Sequence, residues 1–309
     1  MNKALIGIDK SKTFRVYLAI TTDMVEEARQ IHDTTPLATA GLGRVLTGAG
    51  LMGLLLKNPQ DKLTLQFKGD GEVKEILATA NGAGQVKGYI SNPGVELPLK
   101  QNGKLDVGGS LGLGTLTVYK DLGLKEPYVG KIDLASGEIG DDLTAYFFLS
   151  EQQSTSVALG VKIDRDGSTL SAGGMIIQML PEAPGDLRNA AVDALEAMIK
   201  NMKPISDLVE TVTRTGPIAS PEVAMDQLME AIFGSMPEEF QVERLEYRDI
   251  GWLCDCSEER LEQVLISVGE KSLVEIIEED GQAELVCHFC RSRYHFDKPH
   301  LERLLTEAR

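Results

Sequence analysis

The four cysteines of this 309-residue sequence lie in two close pairs in its last quarter. One residue separates Cys254 from Cys256, thirty residues follow, and two residues separate Cys287 from Cys290. Cysteines in such pairs can chelate a metal ion or be oxidised, whereas cysteines that only fill a core need no pairing. Four sulfurs complete a tetrahedral Zn²⁺ site and leave no position for a catalytic water. The spacing therefore predicts a closed Cys₄ zinc site with one ion per chain.

Three histidines near the cysteines could replace a ligand or tune the thiolates: His288, His295 and His300. Solvent-facing histidines are the more frequent case beside a zinc site, so we predict sulfur at all four positions. A purely structural site predicts a static fold, whereas a redox site predicts disulfide formation, metal loss and unfolding. The residues alone leave both interpretations open.

Composition limits the classes of function. A net charge of −16 repels phosphate backbones, which disfavours nucleic-acid binding. The apolar run at the N-terminus is too short for a signal peptide, so we expect a cytoplasmic protein. Thiols stay reduced in that compartment, which favours metal binding or a redox switch over a structural disulfide framework.

The elements before the cysteines begin with a strand over residues 13–21, a helix over 24–32, and a long helix that Thr35 and Pro36 start. Its many glycines predict close packing against a neighbour. Arg44 near its middle argues against a membrane span. The Gly48–Gly53 stretch matches G-x-G-x-x-G, but inside a helix it cannot offer free helix N–H groups to a phosphate, so we predict packing rather than nucleotide binding.

Residues 62–180 alternate between apolar runs and turn signals, with further strands predicted up to 143–149, 156–163 and 169–180. The short connections leave no room for crossover helices, so the sheet should be mainly antiparallel with helices packed on it. We predict an α+β domain over residues 1–180. The acids Glu138, Asp141 and Asp142 are interpreted as solvated loop carboxylates, and no catalytic constellation is recognised, so we expect no enzyme.

Two smaller segments follow. Residues 181–237 contain five of the ten methionines and predict two amphipathic helices that lie on the first domain, although an ordinary interdomain linker is also compatible. Residues 238–309 predict a cysteine module in which Ser257 caps a helix and the Cys287–Cys290 turn joins two short strands. Its few large apolar residues make a marginal core that a metal would stabilise.

The whole pattern resembles the redox-regulated 33-kDa heat-shock protein family of bacteria. The resemblance rests on Cys254-Asp255-Cys256-Ser257, on Cys287-His288-Phe289-Cys290 with Tyr294 shortly after, and on the glycine-rich segment from Thr35-Pro36 to Gly53. It covers the full chain, and the four ligand positions show no departure.

This resemblance implies an ATP-independent holdase chaperone that is inactive while reduced and zinc-bound. Oxidation by peroxide under unfolding conditions, or by hypochlorous acid, would join Cys254 to Cys256 and Cys287 to Cys290. Zinc would leave, the module and the linker would unfold, and the active form, commonly a homodimer, would bind unfolded client proteins. The candidate client-binding residues are Leu187, Leu195, Met198, Leu228, Met229 and Ile232.

Two other classes of function remain compatible with the sequence. A structural zinc-module adaptor would need a basic or aromatic face for its partner. A dithiol oxidoreductase would use Cys287-x-x-Cys290, ordinarily at a helix N-terminus in a βαβ unit, and would not need the second pair.

Overall fold

The computed structural model describes residues 1–181, 184–214 and 219–307. The chain forms two compact units, Met1–Trp252 and Leu253–Arg309. This division differs from the predicted start of the last segment at residue 238, because residues 242–248 and 251–252 are strands in the sheets of the first unit. The predicted segment 181–237 includes residues 182–183 and 215–218, and the predicted module ends with residues 308–309; these eight residues lie outside the described ranges.

The first unit contains two sheets. Within its described residues the strands are β1 (Asn2–Asp9), β2 (Phe14–Thr21), β3 (Lys62–Gly69), β4 (Glu75–Asn81), β5 (Gln85–Ile90), β6 (Gly114–Asp121), β7 (Tyr128–Asp133), β8 (Thr155–Ile163), β9 (Thr169–Met179), β10 (Val242–Arg248) and β11 (Gly251–Trp252). One sheet has the order β10–β1–β2–β9–β8 and the other β11–β5–β4–β3–β6–β7. The strand pairs are antiparallel except for β11 with β5. The predicted α+β fold with mainly antiparallel sheets is confirmed.

The helices of the first unit cover the sheets. Among its described residues they are α1 (Thr22–His32), α2 (Pro36–Gly53), α3 (Val107–Leu111), α4 (Gly140–Leu149), α5 (Gly185–Asn201), α6 (Ile205–Arg214) and α7 (Pro221–Phe233).

Helix α2 is the centre of this unit. Thr35 caps it by accepting a hydrogen bond from the Ala38 amide, and sixteen of its eighteen residues are buried because it packs against strands of both sheets. Its glycines allow this approach: a Cβ at Gly43 would lie 2.6 Å from Val25 Cγ1, and one at Gly53 would lie 2.8 Å from the Asn81 carbonyl oxygen. The predicted close packing is confirmed, and Gly48–Gly53 lies inside the helix rather than in a phosphate loop.

Two sequence-based expectations in this unit are wrong. Residues 143–149 belong to helix α4, not to a strand. Asp142 is completely buried and accepts hydrogen bonds from the amides of residues 135, 136, 137 and 139, so it is not a solvated carboxylate. Its charge stabilises the start of α4. Glu138 is likewise partnered, since it forms ion pairs with Arg44 and Lys100.

The segment after β9 contains three helices in its described residues rather than the predicted two, because residues 205–214 form α6. The apolar sides of α5, α6 and α7 pack on the five-stranded sheet. The same cluster joins Leu18 and Ile177 of the sheet with Leu195, Val209 and Leu228 of the three helices. The expectation that this segment lies on the first domain is therefore confirmed.

The second unit is small. Its described elements are α8 (Glu258–Ser267), α9 (Glu270–Glu279), β12 (Gln282–Val286), β13 (Arg293–Asp297) and α10 (Lys298–Glu307), with β12 and β13 paired antiparallel. Six buried apolar side chains form its core: Leu265, Leu273, Ile277, Phe296, Leu301 and Leu304. A core of this size gives little stability by itself.

Candidate metal centre

The turn between β12 and β13 positions the second cysteine pair. Val286 pairs with Arg293 at the end of the hairpin, and the intervening residues include Cys287 and Cys290. The Cys287 amide donates to the Ser292 carbonyl over 2.9 Å, and the Arg291 amide donates to the Cys287 carbonyl over 2.9 Å. These bonds close the hairpin turn that carries both thiols. The pair does not lie at a helix N-terminus, which is where a dithiol oxidoreductase ordinarily places it.

The start of α8 positions the first pair. Ser257 caps this helix by accepting from the Arg260 amide, as the sequence predicts. The Arg260 guanidinium also donates to the Asp255 carbonyl over 2.9 Å and lies 2.5 Å from the Asp255 carboxylate. Because Asp255 lies between Cys254 and Cys256, these contacts fix the loop that carries both thiols.

The four sulfurs lie within 4.8 Å of one another, a grouping that could hold a metal ion. The Cys254 and Cys287 sulfurs are 3.7 Å apart, and the Cys256 and Cys290 sulfurs are 3.3 Å apart. All four cysteines are free thiols, with Cys287 buried and the others half-buried. Each close approach joins a sulfur of one pair to a sulfur of the other, so the tertiary structure converts two chelating pairs into one cluster.

Burial shapes the acidity of these thiols. It raises the pKa of Cys254 and Cys256, which favours the protonated forms when no cation is bound. Burial also raises the pKa of Cys290, but hydrogen bonds with the Ser292 hydroxyl and amide and with the Cys256 and Cys254 sulfurs outweigh it and lower the pKa to about 6. The hydrogen bond with Cys256 raises the pKa of Tyr294 to about 12. A bound cation would favour the thiolate form of all four groups.

Comparison with known proteins assigns the chain to a family. A family model described as "Hsp33 protein" matches residues 3–297. The chain belongs to the Hsp33 family. A "33 kDa chaperonin" of Alkaliphilus oremlandii is 46% identical over 307 residues, covering 99% of this chain and 97% of the relative. A protein of the same description from Clostridium tetani is 42% identical over 305 residues, with 98% of each chain covered.

A solved Hsp33 structure has the same fold. The crystal structure of the 33 kDa chaperonin (heat shock protein 33 homolog) from Thermotoga maritima superposes with a TM-score of 0.84 at 36% identity, covering 99% of this chain and 98% of that one. Membership of the Hsp33 family supports a chaperone function, and the names of the relatives describe a non-enzymatic role. In the described part of this Hsp33 chain, none of the helices combines the length and apolar character that crossing a bilayer requires.

Two of the three nearby histidines of the Hsp33 chain have clear positions away from the sulfurs. His295 is exposed on β13. His300 lies 2.6 Å from the Glu262 carboxylate and 2.7 Å from the Arg303 guanidinium. The sulfur cluster itself groups the four cysteines without a histidine among the described residues.

Sequence reasoning missed the supporting contacts of the site. The Tyr294 hydroxyl lies 3.2 Å from the Cys256 sulfur, and the Ser292 hydroxyl lies 3.2 Å from the Cys290 sulfur. Ser292 lies two residues after Cys290, and Tyr294 lies four residues after it. Proximity in sequence was therefore the available signal. It could not show that Tyr294 reaches a cysteine of the other pair, because that contact depends on the hairpin.

The six candidate client-binding residues of the Hsp33 chain pack in or against the apolar cluster on the five-stranded sheet. Leu195, Leu228 and Ile232 are buried in the cluster that covers the five-stranded sheet. The other three are half-buried and pack against the same cluster: Leu187, Met198 and Met229. Binding of a client through these side chains would require the helices to leave the sheet.

Proposed function

We propose that this protein is an ATP-independent holdase chaperone that oxidation activates. The observation that carries the proposal is the gathering of four free thiols into one cluster in a unit with a very small core. In the reduced form Cys254, Cys256, Cys287 and Cys290 would hold one zinc ion, and client-binding surface would stay covered. Oxidation of the thiols would release the metal, unfold the second unit and uncover that surface.

The donor set suits zinc. Tetrahedral Zn²⁺ with thiolate bonds of about 2.3 Å places its sulfurs about 3.8 Å apart, and the two shortest distances between sulfurs of different pairs are 3.3 and 3.7 Å. When bound, zinc would supply folding free energy that the six core side chains cannot supply alone. Four sulfur ligands leave no open position, which supports a structural and regulatory role rather than hydrolysis.

The redox step needs an oxidant with a two-electron capacity. Each pair of thiolates would lose two electrons as one sulfur–sulfur bond forms. Hydrogen peroxide would accept them and give water, or hypochlorous acid would accept them and give chloride and water. Disulfide sulfurs are poor ligands for a metal cation, so two such bonds would remove the site and with it the fold of the second unit.

A short covalent path connects the cysteines to the first unit. Leu253 alone separates Cys254 from Trp252, the last residue of β11, a strand of two residues. The preceding Ile250 fills a notch on α2, where a Cβ at Gly50 would lie 2.5 Å from Ile250 Cδ1. So short a strand has few interactions to resist loosening. We propose that unfolding after residue 252 frees β11 and then β10.

Strand β10 in turn holds α7 in place. The Arg244 guanidinium donates to the Asp226 carboxylate over 2.9 Å, and the Tyr247 hydroxyl donates to the same carboxylate over 2.8 Å. Each of these exposed polar contacts contributes little stability by itself, but Val242 and Tyr247 of β10 also pack against the apolar cluster of α7. Release of β10 would therefore weaken α7 and the apolar layer to which Leu228 and Ile232 belong.

The pairing of the disulfides would report the order of events. The family resemblance implies bonds within the pairs, Cys254 with Cys256 and Cys287 with Cys290. The shortest sulfur distances in the folded state instead join Cys254 to Cys287 and Cys256 to Cys290. Bonds within the pairs are expected if the unit unfolds before the disulfides are complete, since neighbours in sequence meet most often in an unfolded chain. Peptide mapping that finds bonds between the pairs would instead indicate oxidation of the folded unit.

The proposed function is tested by suppression of client aggregation. A thermally unfolding client is mixed with reduced, zinc-loaded protein or with peroxide-treated protein, and light scattering and zinc release are followed together. We expect suppression only after oxidation, without ATP, and we expect the active form to be a homodimer by light scattering and to act in the cytoplasm. Equal activity in both states, or activity in neither, would contradict the redox switch.

Neither alternative function gains support from the arrangement. Residues 253–309 contain thirteen Asp and Glu against seven Lys and Arg, which disfavours a nucleic-acid adaptor. The Cys287-x-x-Cys290 thiols lie on a hairpin turn and within a cluster of four sulfurs, which disfavours a dithiol oxidoreductase. Turnover of a disulfide substrate by the reduced protein would favour the second alternative.

A further inference from the structure

Helices α5, α6 and α7, with the residues that connect and follow them, form a helical layer on the five-stranded sheet. Three methionines of this helical layer line one cavity. The cavity has a volume of about 650 Å³ and lies between α5, the connection to α6, α6 itself and the end of α7. Met198 and Met202 line it from α5 and its C-terminal end, and Met236 lines it from the residues after α7. The four cysteines belong to the other unit and take no part in it.

The cavity is open to solvent. Its rim includes the exposed residues Asn201, Lys203 and Ser235. Met198 and Met202 are half-buried, so small oxidants in water can reach them, whereas Met236 is 6% exposed and is reached only through the cavity that it lines. Met225 of the same layer is completely buried, and Met175 of strand β9 is only 1% exposed.

From this arrangement we propose that Met198, Met202 and Met236 form a second oxidation site, independent of the cysteines. Each thioether sulfur gives two electrons to the oxidant and gains one oxygen atom, which forms methionine sulfoxide. With hydrogen peroxide the other product is water, and with hypochlorous acid the other products are chloride and a proton. The reaction is reversed by methionine sulfoxide reductases, whereas thiol reductants such as dithiothreitol leave the sulfoxide in place.

Oxidation at this site loosens the helical layer. Met198, Met202 and Met236 pack with Leu208 and Ile232 in the apolar cluster on the five-stranded sheet. A sulfoxide carries a polar oxygen that needs a hydrogen-bond partner, and the polar side chains of this cavity, such as Asn201, Lys203 and Ser235, belong to its exposed rim and not to the apolar cluster. The modified side chains therefore favour a conformation in which they leave the sheet.

Met229 provides a matched comparison on α7. It is also half-buried, but it lines a different, smaller cavity of about 290 Å³. The polar residues Lys10, Glu230 and Gln241 line the same cavity. A sulfoxide oxygen at Met229 can accept a hydrogen bond from the Lys10 ammonium or the Gln241 amide group. Oxidation there is expected to leave the layer in place.

The test separates the two kinds of sulfur by their reductants. Full-length protein is treated with hypochlorous acid, then with dithiothreitol and zinc, which restores the cysteines but not the methionines. We expect mass spectrometry to find sulfoxide at Met198, Met202 and Met236 before Met225. We also expect protease cleavage within residues 184–237 to remain about tenfold faster than in untreated protein. Treatment with methionine sulfoxide reductases should then restore the original rate.

Leucine variants provide the controls. Leucine has nearly the volume of methionine and cannot be oxidised, so the triple variant Met198→Leu, Met202→Leu, Met236→Leu should recover fully with dithiothreitol and zinc alone. Met229→Leu should show the same residual protease cleavage after hypochlorous acid, dithiothreitol and zinc as the wild type. If the triple variant does not fold, the single variants Met198→Leu and Met202→Leu replace it, each with a smaller residual effect than the wild type.

The proposal is overturned if the three methionines stay unoxidised, if wild-type protein with the three sulfoxides recovers without the reductases, or if the leucine variants retain the full residual effect. None of these readouts requires client binding, so they are independent of the proposed cysteine switch.

Discussion

Removal of the metal from the reduced protein is expected to unfold residues 253–307 while strands β1–β9 and helix α2 stay folded. The core cluster in the described part of the second unit has six buried apolar side chains, whereas structural zinc sites contribute on the order of 10–16 kcal/mol to small modules. Burial also raises the pKa of Cys254 and Cys256. Without a metal cation these two thiols therefore stay protonated, and no ion holds the four cysteines together. We therefore expect the second unit to lose nearly all of its folded structure when the metal is removed.

The measurement is a chelator titration in the presence of a thiol reductant, with limited proteolysis, far-ultraviolet circular dichroism and a colorimetric assay of released zinc. Cleavage after residue 252 should become at least about 100-fold faster as zinc is released. Cys287→Ser, which removes the most buried of the four proposed ligands, should give the same result without chelator. His295→Ala is the matched control, because His295 is exposed on the same hairpin and should leave zinc binding unchanged. A second unit that resists protease without metal would contradict the proposed switch.

Truncation of Phe233 is expected to give chaperone activity without oxidation. The Phe233 side chain is 2% exposed, and its ring stacks against Phe14 of β2 with centroids 6.5 Å apart. Phe233→Ala removes a large buried side chain at the contact between α7 and the sheet, a change that typically costs about 3–5 kcal/mol. Because the layer of α5, α6 and α7 covers the candidate client-binding residues, its release should uncover them while zinc stays bound.

The experiment compares reduced, zinc-loaded Phe233→Ala with Val223→Ala in the aggregation assay and in limited proteolysis. Val223 lies on the same helix but is 37% exposed, so its truncation should change stability by no more than about 0.5 kcal/mol and leave the reduced protein inactive. Zinc content confirms that the second unit is intact in both variants. If Phe233→Ala is destabilised and cleaved in residues 184–237 yet suppresses no aggregation until it is oxidised, the helical layer is not the client-binding surface.

Local patterns predicted much of the fold. The strand at residues 13–21, the Thr35 cap with Pro36 and the Ser257 cap are confirmed because each depends on a few neighbouring residues with strong preferences. The glycines of α2 likewise indicated a helix in close contact with its surroundings, since no exposed helix would keep so many of them.

The errors occurred where distant residues decide the local structure. Residues 143–149 are apolar on several sides and suit a strand as well as a buried helix, and the choice depends on Asp142, whose carboxylate binds the amides of the preceding loop. Residues 242–248 looked like the beginning of the cysteine module but pair with β1, more than 230 positions earlier in the chain. Such a pairing leaves no signal in the residues themselves.

The sequence by itself determined the chemistry available to this protein: four thiols in two pairs, no other cysteine, and a small set of large apolar residues around them. Spacing of one and two residues within the pairs is a covalent property, so it needs no tertiary structure to limit the choices to metal binding or redox change. Only the tertiary structure decided that sulfurs of different pairs approach to 3.3 and 3.7 Å, and that the methionine-rich helices cover the sheet with their apolar sides. Both depend on contacts between segments far apart in the chain, which are selected by the packing of the whole unit rather than by local preference.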